Sequence, residues 1–217
     1  MSARWTTVLV FAAIGSATAS AADTETRLFA VQVDGRPAGE FRLIVRTVDD
    51  GTETATAVAS VQVRQLLGGY RYTYRGTEVW KAGRLRQLDA ASEENGKKHT
   101  VVAVATANGL RVTADGLTRS VRPDVMPTTY WRMPAGAKSN QTIVLLDADT
   151  GEEQTAKLDA VGPTKVSVGD KMTDCTRITI SGPASGTLWY DARGRLVAQE
   201  TTEDGHTTTL TLREIQR

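Results

Sequence analysis

Three tyrosines at alternate positions are the strongest candidates for binding chemistry in this sequence. Tyr70, Tyr72 and Tyr74 are separated by single residues, so an extended strand would project all three rings from one face. Three amphipathic rings in a row can line a cavity, stacking on sugars or lying along an acyl chain with their hydroxyls at its mouth. The favoured interpretation of the three tyrosines by themselves is an aromatic ladder that stabilises cross-strand pairs, since tyrosine favours strands, and the ligand cavity is the alternative.

Two groups of residues resemble parts of metal sites. Asp147 and Asp149 alternate before Gly151, as in the opening of a calcium loop, although a complete loop needs more acidic positions and a closing glutamate. We interpret this segment as a hairpin turn, with calcium as the alternative. His99 and His206 lack a clear third ligand for zinc, and solvated positions at strand starts explain both histidines more simply. The sequence therefore predicts neither a metal nor a cofactor.

No arrangement in the sequence predicts catalysis. The nucleophile pattern G-x-S-x-G is absent, and the adjacent carboxylates at 93–94 and 152–153 would face opposite sides of a strand. Cys175 is the single cysteine and no motif supplies it with a base, so a small packed side chain is the favoured interpretation. An intermolecular disulfide or a reactive thiol is the alternative for Cys175.

The elements that would position these residues are strands. Phe41, Leu43 and Val45 alternate with polar residues at period two, and valine and threonine are frequent throughout. Asx-Gly pairs, which favour hairpin turns, separate these alternating runs. The pattern predicts an all-β fold with an antiparallel meander and little helix. The six pairs are Asp34-Gly35, Asp50-Gly51, Asn95-Gly96, Asn108-Gly109, Asp115-Gly116 and Asp204-Gly205.

The two ends and the middle of the chain predict its organisation. Residues 1–21 combine Arg4, a short apolar run and the Ala19-Ser20-Ala21 cleavage pattern of a secretory signal peptide. We therefore expect residues 22–217 to form a single β domain in the periplasm or outside the cell. Residues 121–138 contain three prolines, which excludes a central strand and predicts a crossing loop, with one helical turn at 128–132. A linker between two domains is the alternative.

Charge excludes one class of partner. Residues 1–21 contain one charged residue, Arg4, so cleavage leaves 25 basic against 25 acidic residues. Nucleic-acid-binding domains carry a clustered basic excess, so we expect no nucleic-acid partner. No further apolar run reaches the roughly 20 residues of a transmembrane helix, so we expect no transmembrane span after cleavage.

Several short motifs, in their order along the chain, resemble an uncharacterised family of exported, β-rich bacterial proteins known only as a domain of unknown function. One departure is Arg132, where the family pattern has a small polar residue. A looser resemblance joins the chain to periplasmic carriers of lipids and lipoproteins, and it implies a single, strongly curved, half-open barrel-like sheet. The motifs lie at residues 39–43, 78–80, 129–131, 145–151, 188–191 and 194–196.

Most of the aromatic residues fall in or near these motifs, which favours a ligand site. We expect a non-enzymatic binding module for an apolar or amphipathic molecule, such as a lipid, in the cell envelope. The alternatives are an envelope structural or protein-interaction module and, third, a hydrolase with an unrecognised site. The predicted ligand-binding residues are Tyr70, Tyr72, Tyr74, Trp80, Tyr130, Trp131 and Trp189.

Overall fold

The computed structural model describes residues 23–65, 68–203 and 205–217, and there it contains β-strands and no helix. The predicted signal peptide, Ala22, Leu66, Leu67 and Asp204 lie outside these residues. No helix of the described residues is long and apolar enough to cross a membrane. The strands are β1 (Asp23–Val33), β2 (Arg36–Thr47), β3 (Glu53–Gln65), β4 (Gly68–Lys81), β5 (Arg84–Glu94), β6 (Lys97–Thr106), β7 (Gly109–Ala114), β8 (Leu117–Val121), β9 (Met126–Pro127), β10 (Gln141–Leu146), β11 (Glu153–Val168), β12 (Lys171–Ser181), β13 (Gly186–Asp191), β14 (Leu196–Glu203) and β15 (His206–Gln216).

All fifteen strands form one sheet in the order β8-β7-β6-β5-β4-β3-β2-β1-β15-β14-β13-β12-β11-β10-β9. Neighbours in the chain are neighbours in the sheet, except that β8 and β9 form its two opposite edges, and the first and last strands pair at its centre. Every pairing is antiparallel except that of β9 with β10. The predicted all-β fold with an antiparallel meander is confirmed.

The short connection between the two edge strands requires strong curvature. Fourteen spacings of about 4.8 Å would make a flat sheet of this order roughly 65 Å wide. Residues 122–125 connect edge strand β8 to edge strand β9, and such a segment spans at most about 18 Å when extended. The two edges therefore come close, and Arg119 of β8 donates to the carbonyls of Thr150 and Gly151 beyond β10. The sheet is a half-open barrel, as the resemblance implied.

The turns between strands follow the predicted chemistry in most places. Asp34, Asn95 and Asp115 each have positive φ and are followed by a glycine with positive φ, which suits the right-handed twist of a hairpin. Ala82 adopts the same left-handed conformation before Gly83 without the side-chain amide or carboxyl that usually favours it. That turn was therefore invisible to a search for Asx-Gly pairs.

One face of the sheet forms the core. Phe41, Leu43 and Val45 are buried as the alternation predicted, whereas Glu40, just before them, and Arg42, between the first two, are exposed. The inner faces of both halves contribute to a single apolar cluster. The interior of the half-open barrel is therefore filled with side chains over much of its length.

The proline-rich segment crosses this interior. The stretch 121–138 contains the short strand β9, and residues 128–132 form a turn at 128–129 followed by irregular backbone and a β-bridge at Arg132, instead of the helical turn we expected. Tyr130 has a φ of 49°, which turns the chain so that Tyr130 and Trp131 are both buried. Arg132 then forms an isolated antiparallel bridge with Arg195. A helical turn would have kept Tyr130 at negative φ.

Candidate ligand-binding site

A cleft of about 470 Å³ lies on the inner side of the curved sheet. Strands β1 to β6 form one wall, β14 and β15 form another, and residues 128–130 and 147–150 contribute side chains between them. A volume of this size is within the range of about 300–1,000 Å³ typical of small-molecule sites. Hereafter this space is called the cleft.

The three tyrosines of β4, hereafter the tyrosine row, all line the cleft. Tyr70 is 36% exposed, Tyr72 is half-buried and Tyr74 is 6% exposed, so the row runs from the surface to the interior. Gly76 makes space for the innermost ring, because a Cβ atom there would lie 2.2 Å from the Tyr74 hydroxyl oxygen. Alternation along β4 thus places the row on one face, as the sequence predicted.

The turn between β10 and β11 closes one side of the cleft. The Asp147 carboxylate accepts hydrogen bonds from the backbone N–H groups of Asp149 and Thr150, at 2.8 and 2.9 Å. The Tyr72 hydroxyl donates to the Asp149 carboxylate at 2.9 Å, and Ser92 also hydrogen-bonds to Asp149. Burial raises the pKa of Asp149 despite these hydrogen bonds. The segment is a hairpin turn, and the described residues contain no group of three acidic, histidine or cysteine side chains able to hold a metal ion.

A buried carboxylate holds the crossing loop beside the cleft. Glu78 Oε2 accepts hydrogen bonds from Trp80 Nε1 at 2.7 Å and Trp131 Nε1 at 2.9 Å, and Thr129 Oγ1 donates to Glu78 Oε1. The two indole rings meet edge to face, with centroids 6.4 Å apart. Burial raises the pKa of Glu78, and the hydrogen bonds and the Arg132 charge oppose this effect. We call these four residues, with Arg132, the Glu78 cluster.

Arg132 completes the Glu78 cluster on its outer side. Its guanidinium carbon lies 4.7 Å from the centre of the Trp80 ring and 5.4 Å from that of Trp131, a cation–π arrangement. Its Nη1 also forms a 2.7 Å ion pair with Glu53 of β3. The residue that departs from the expected family pattern therefore has a defined structural role in this chain.

A second polar cluster holds the crossing loop at Trp131, the residue whose indole also donates to Glu78. Arg27 is buried, donates from Nη1 to the Trp131 carbonyl at 3.0 Å, and pairs through Nε with Glu25 at 2.7 Å. Arg195 bridges Glu25 at 2.9 Å and Asp191 at 2.6 Å. Two strands from opposite halves of the sheet therefore hold the same loop.

The predicted ligand-binding residues fall into three places. The tyrosine row and Tyr130 line the cleft. Trp80 and Trp131 do not line it and instead belong to the Glu78 cluster. Trp189 is half-buried on the face of β13 opposite Leu188 and Tyr190, where a shallow depression runs beside β11. Sequence alone could not separate these places, because burial and hydrogen-bond partners depend on residues far away in the chain.

Three buried polar atoms that have no hydrogen-bond partner among the described residues belong to side chains lining the cleft. They are the hydroxyl oxygens of Tyr74 and Tyr130 and the side-chain oxygen of Gln154. Tyr74 and Tyr130 are only 6% and 4% exposed. Buried polar groups in proteins are nearly always paired, so these atoms mark positions where a bound molecule would gain hydrogen bonds.

The two histidines and the single cysteine considered in the sequence analysis each have a structural role of their own. His99 Nδ1 lies 2.7 Å from Asp115 Oδ2, and His206 Nδ1 lies 2.7 Å from Asp34 Oδ2. Each histidine thus contacts the aspartate of a neighbouring hairpin turn. Cys175 is buried in β12, where burial raises the pKa of its thiol, as suits a packed side chain.

Comparison with known protein families identifies the family of this chain. A family model described as a domain of unknown function, DUF6134, matches residues 29–213. The chain belongs to the DUF6134 family. This confirms the expected membership of an uncharacterised β-rich family.

One solved structure shows the same fold. It is a beta-barrel-like protein of another domain of unknown function, DUF1849, from Brucella abortus, with a TM-score of 0.67. The two chains are 9% identical, and the match covers 89% of this chain and 97% of the other. At this identity the likeness shows the fold alone. No curated protein matches this chain.

Proposed function

We propose that this DUF6134 protein is an exported, non-enzymatic binding module that holds an apolar or amphipathic molecule in the cleft. One observation carries the proposal: the tyrosine row borders a space of ligand size in which buried hydroxyls have no partner in the part of the chain that the structure describes. The inner wall adds apolar surface from Val31, Phe41 and Val61. A lipid chain or another apolar body would contact this wall, with its polar group near the hydroxyls.

The state of the titratable groups supports binding over catalysis. Asp147 is hydrogen-bonded by its own turn, and Asp149 accepts hydrogen bonds from Tyr72 and Ser92. Burial raises the pKa values of Tyr72 and Tyr74, so neither hydroxyl is prepared to act as a base or a nucleophile at neutral pH. The carboxylates next to the cleft thus have structural partners, which favours a site that holds its ligand unchanged.

Export rests on the sequence of residues 1–21, with its charged start, apolar run and small-residue cleavage pattern. Cleavage after Ala21 would remove this segment and leave the described sheet intact, because β1 begins at Asp23. We therefore place the mature protein in the periplasm or outside the cell.

Native mass spectrometry of protein purified from a periplasmic extract, followed by organic extraction, tests the function. We expect a stoichiometric adduct that is weakened by Tyr74→Leu in the cleft. The matched control is Trp189→Leu, because that ring lies on the opposite face of the sheet. A clean mass without any extractable molecule would overturn the binding proposal.

The second candidate is an envelope module that binds a protein and no small molecule. Edge strand β8 supports it, because residues 117–120 are exposed and Leu117 is 79% exposed. A partner strand could add to such an edge by backbone hydrogen bonds. A clean mass in the experiment above, together with loss of a co-purifying protein in Leu117→Lys, would favour this second function.

A further inference from the structure

The cleft is acidic although the chain as a whole is nearly neutral. Glu94, Asp147, Asp149 and Glu203 line it, and none of the described lining residues is a lysine or an arginine. The whole chain has 26 basic and 25 acidic residues, so the imbalance is local. His99 is the remaining titratable side chain of that lining apart from tyrosines, and it lies 2.7 Å from Asp115.

The unpartnered atoms fit a ligand that donates hydrogen bonds, because the Gln154 amide oxygen can only accept and the two tyrosine hydroxyls can accept as well as donate. Tyr74 and Tyr130 have hydroxyl oxygens that can accept, and the unpaired atom of Gln154 is an amide oxygen. Both tyrosines are more than nine-tenths buried, so a molecule entering the cleft would supply the missing contacts. Carboxylates, hydroxyls and an amide oxygen together form a site rich in acceptors.

We propose that the cleft selects an organic cation, a protonated amine carried on an apolar body. The ammonium group would lie among the Asp149 and Glu94 carboxylates and the tyrosine hydroxyls, with the tyrosine rings offering cation–π contacts. The apolar body would lie against Val31 and Phe41. This inference rests on the proposed binding function and names the chemistry of the ligand.

The electrostatic environment of the tyrosine row agrees with this assignment. Burial raises the pKa of Tyr70, and the charges of Glu94, Glu203 and Asp149 raise it further. Burial and the Asp149 charge act in the same direction on the pKa of Tyr72. A negative field that disfavours a phenolate would also disfavour a carboxylate or phosphate ligand, and it would stabilise a cation.

Three probes that share a decyl hydrocarbon chain but differ in head-group charge separate a preference for charge from simple apolar binding. Decylammonium, decanol and decanoate, each below its micelle concentration, are titrated into the purified exported protein by calorimetry. We expect decylammonium to bind at least about 10-fold more tightly than either other probe, with an advantage that falls as salt rises. The double variant Asp149→Asn, Glu94→Gln should bind decylammonium about 10-fold more weakly than the wild type, with little change in its affinity for decanol.

Glu152→Gln is the matched control, because Glu152 lies in the same turn as Asp149, is exposed and does not line the cleft. Circular dichroism of each variant confirms the sheet. Equal binding of all three probes would overturn the cation preference and leave the binding function standing. Binding of none of them to the wild-type protein would overturn both proposals.

Discussion

Replacement of Glu78 tests whether the Glu78 cluster holds the fold together. In Glu78→Met the apolar side chain keeps similar length but leaves three buried donors, on Trp80, Trp131 and Thr129, without an acceptor. Each unsatisfied buried donor costs about 1–3 kcal/mol, whereas removing the carboxylate relieves its own desolvation. Removing one partner from a buried polar cluster typically destabilises by about 3–5 kcal/mol, so we expect a loss in that range.

Glu78→Gln separates the hydrogen bonds from the charge. Both indole N–H groups donate to the single oxygen Oε2, so a glutamine with its amide oxygen at that position would keep both bonds. Its NH2 group would then donate to Thr129 Oγ1. We expect a loss of about 1 kcal/mol or less for Glu78→Gln.

Urea unfolding followed by circular dichroism measures the free energy of unfolding of each variant. The matched controls are Glu40→Met and Glu40→Gln on the exposed face of β2, which should each change it by no more than about 0.5 kcal/mol. If Glu78→Met were as stable as Glu78→Gln, the three hydrogen bonds would contribute nothing and our explanation of the cluster would be wrong.

Three further perturbations follow from the packing and electrostatics. Gly76→Ala should lower the free energy of unfolding in urea by about 1–3 kcal/mol, because its Cβ would lie 2.2 Å from the Tyr74 hydroxyl. Combining it with Tyr74→Ala should remove most of that extra loss of stability. An undiminished loss would place the strain elsewhere. Arg27→Met should lower the free energy of unfolding by about 3–5 kcal/mol, because it leaves the Trp131 carbonyl and the Glu25 carboxylate short of donors. The control Arg42→Met, at an exposed position, should have little effect. Equal effects of the two changes would contradict the role of Arg27. Burial raises the folded-state pKa of Glu78, so the neutral carboxyl is favoured in the fold. The stability of the wild type relative to Glu78→Gln should therefore fall as pH rises above the ordinary carboxyl pKa of about 4. A rise in that relative stability over the same pH range would refute the predicted direction.

The regular part of the fold could be predicted from the sequence because it depends on local signals. Alternation at Phe41, Leu43 and Val45 needs only neighbouring residues to indicate a strand with one buried face. Asx-Gly pairs likewise act locally through positive φ, which Asp34 and Asn95 adopt. The pairing of β1 with β15 is different, because its partners are separated by most of the chain and no local signal specifies them.

The roles of the aromatic residues could be predicted only in part. Placement of the tyrosine row on one face follows from spacing, and all three rings line the cleft. Trp80 and Trp131 were predicted to share that site, yet their N–H groups share Glu78, a residue 53 positions from Trp131. Sequence indicates that a buried tryptophan needs an acceptor but does not identify which carboxylate supplies it. The sequence indicated a hairpin turn or a calcium loop for Asp149 but not its contact with Tyr72, because that contact joins residues 77 positions apart.

The motifs on which the family resemblance rests build much of the scaffold and also supply part of the cleft, because Tyr130, Asp147 and Asp149 lie within them and line it. Residues 78–80 and 129–131 meet in the Glu78 cluster, and Arg195, which pairs with Asp191, forms a β-bridge with Arg132 of the same loop. The tyrosine row, Glu94 and Glu203 lie outside those motifs and form the strand walls of the cleft. A protein can therefore share the clamped loop and the curved sheet while presenting different side chains to its ligand. The chemistry of the ligand therefore depends on the side chains that line the cleft, and there the acidic residues and the unpaired hydroxyls favour a cation.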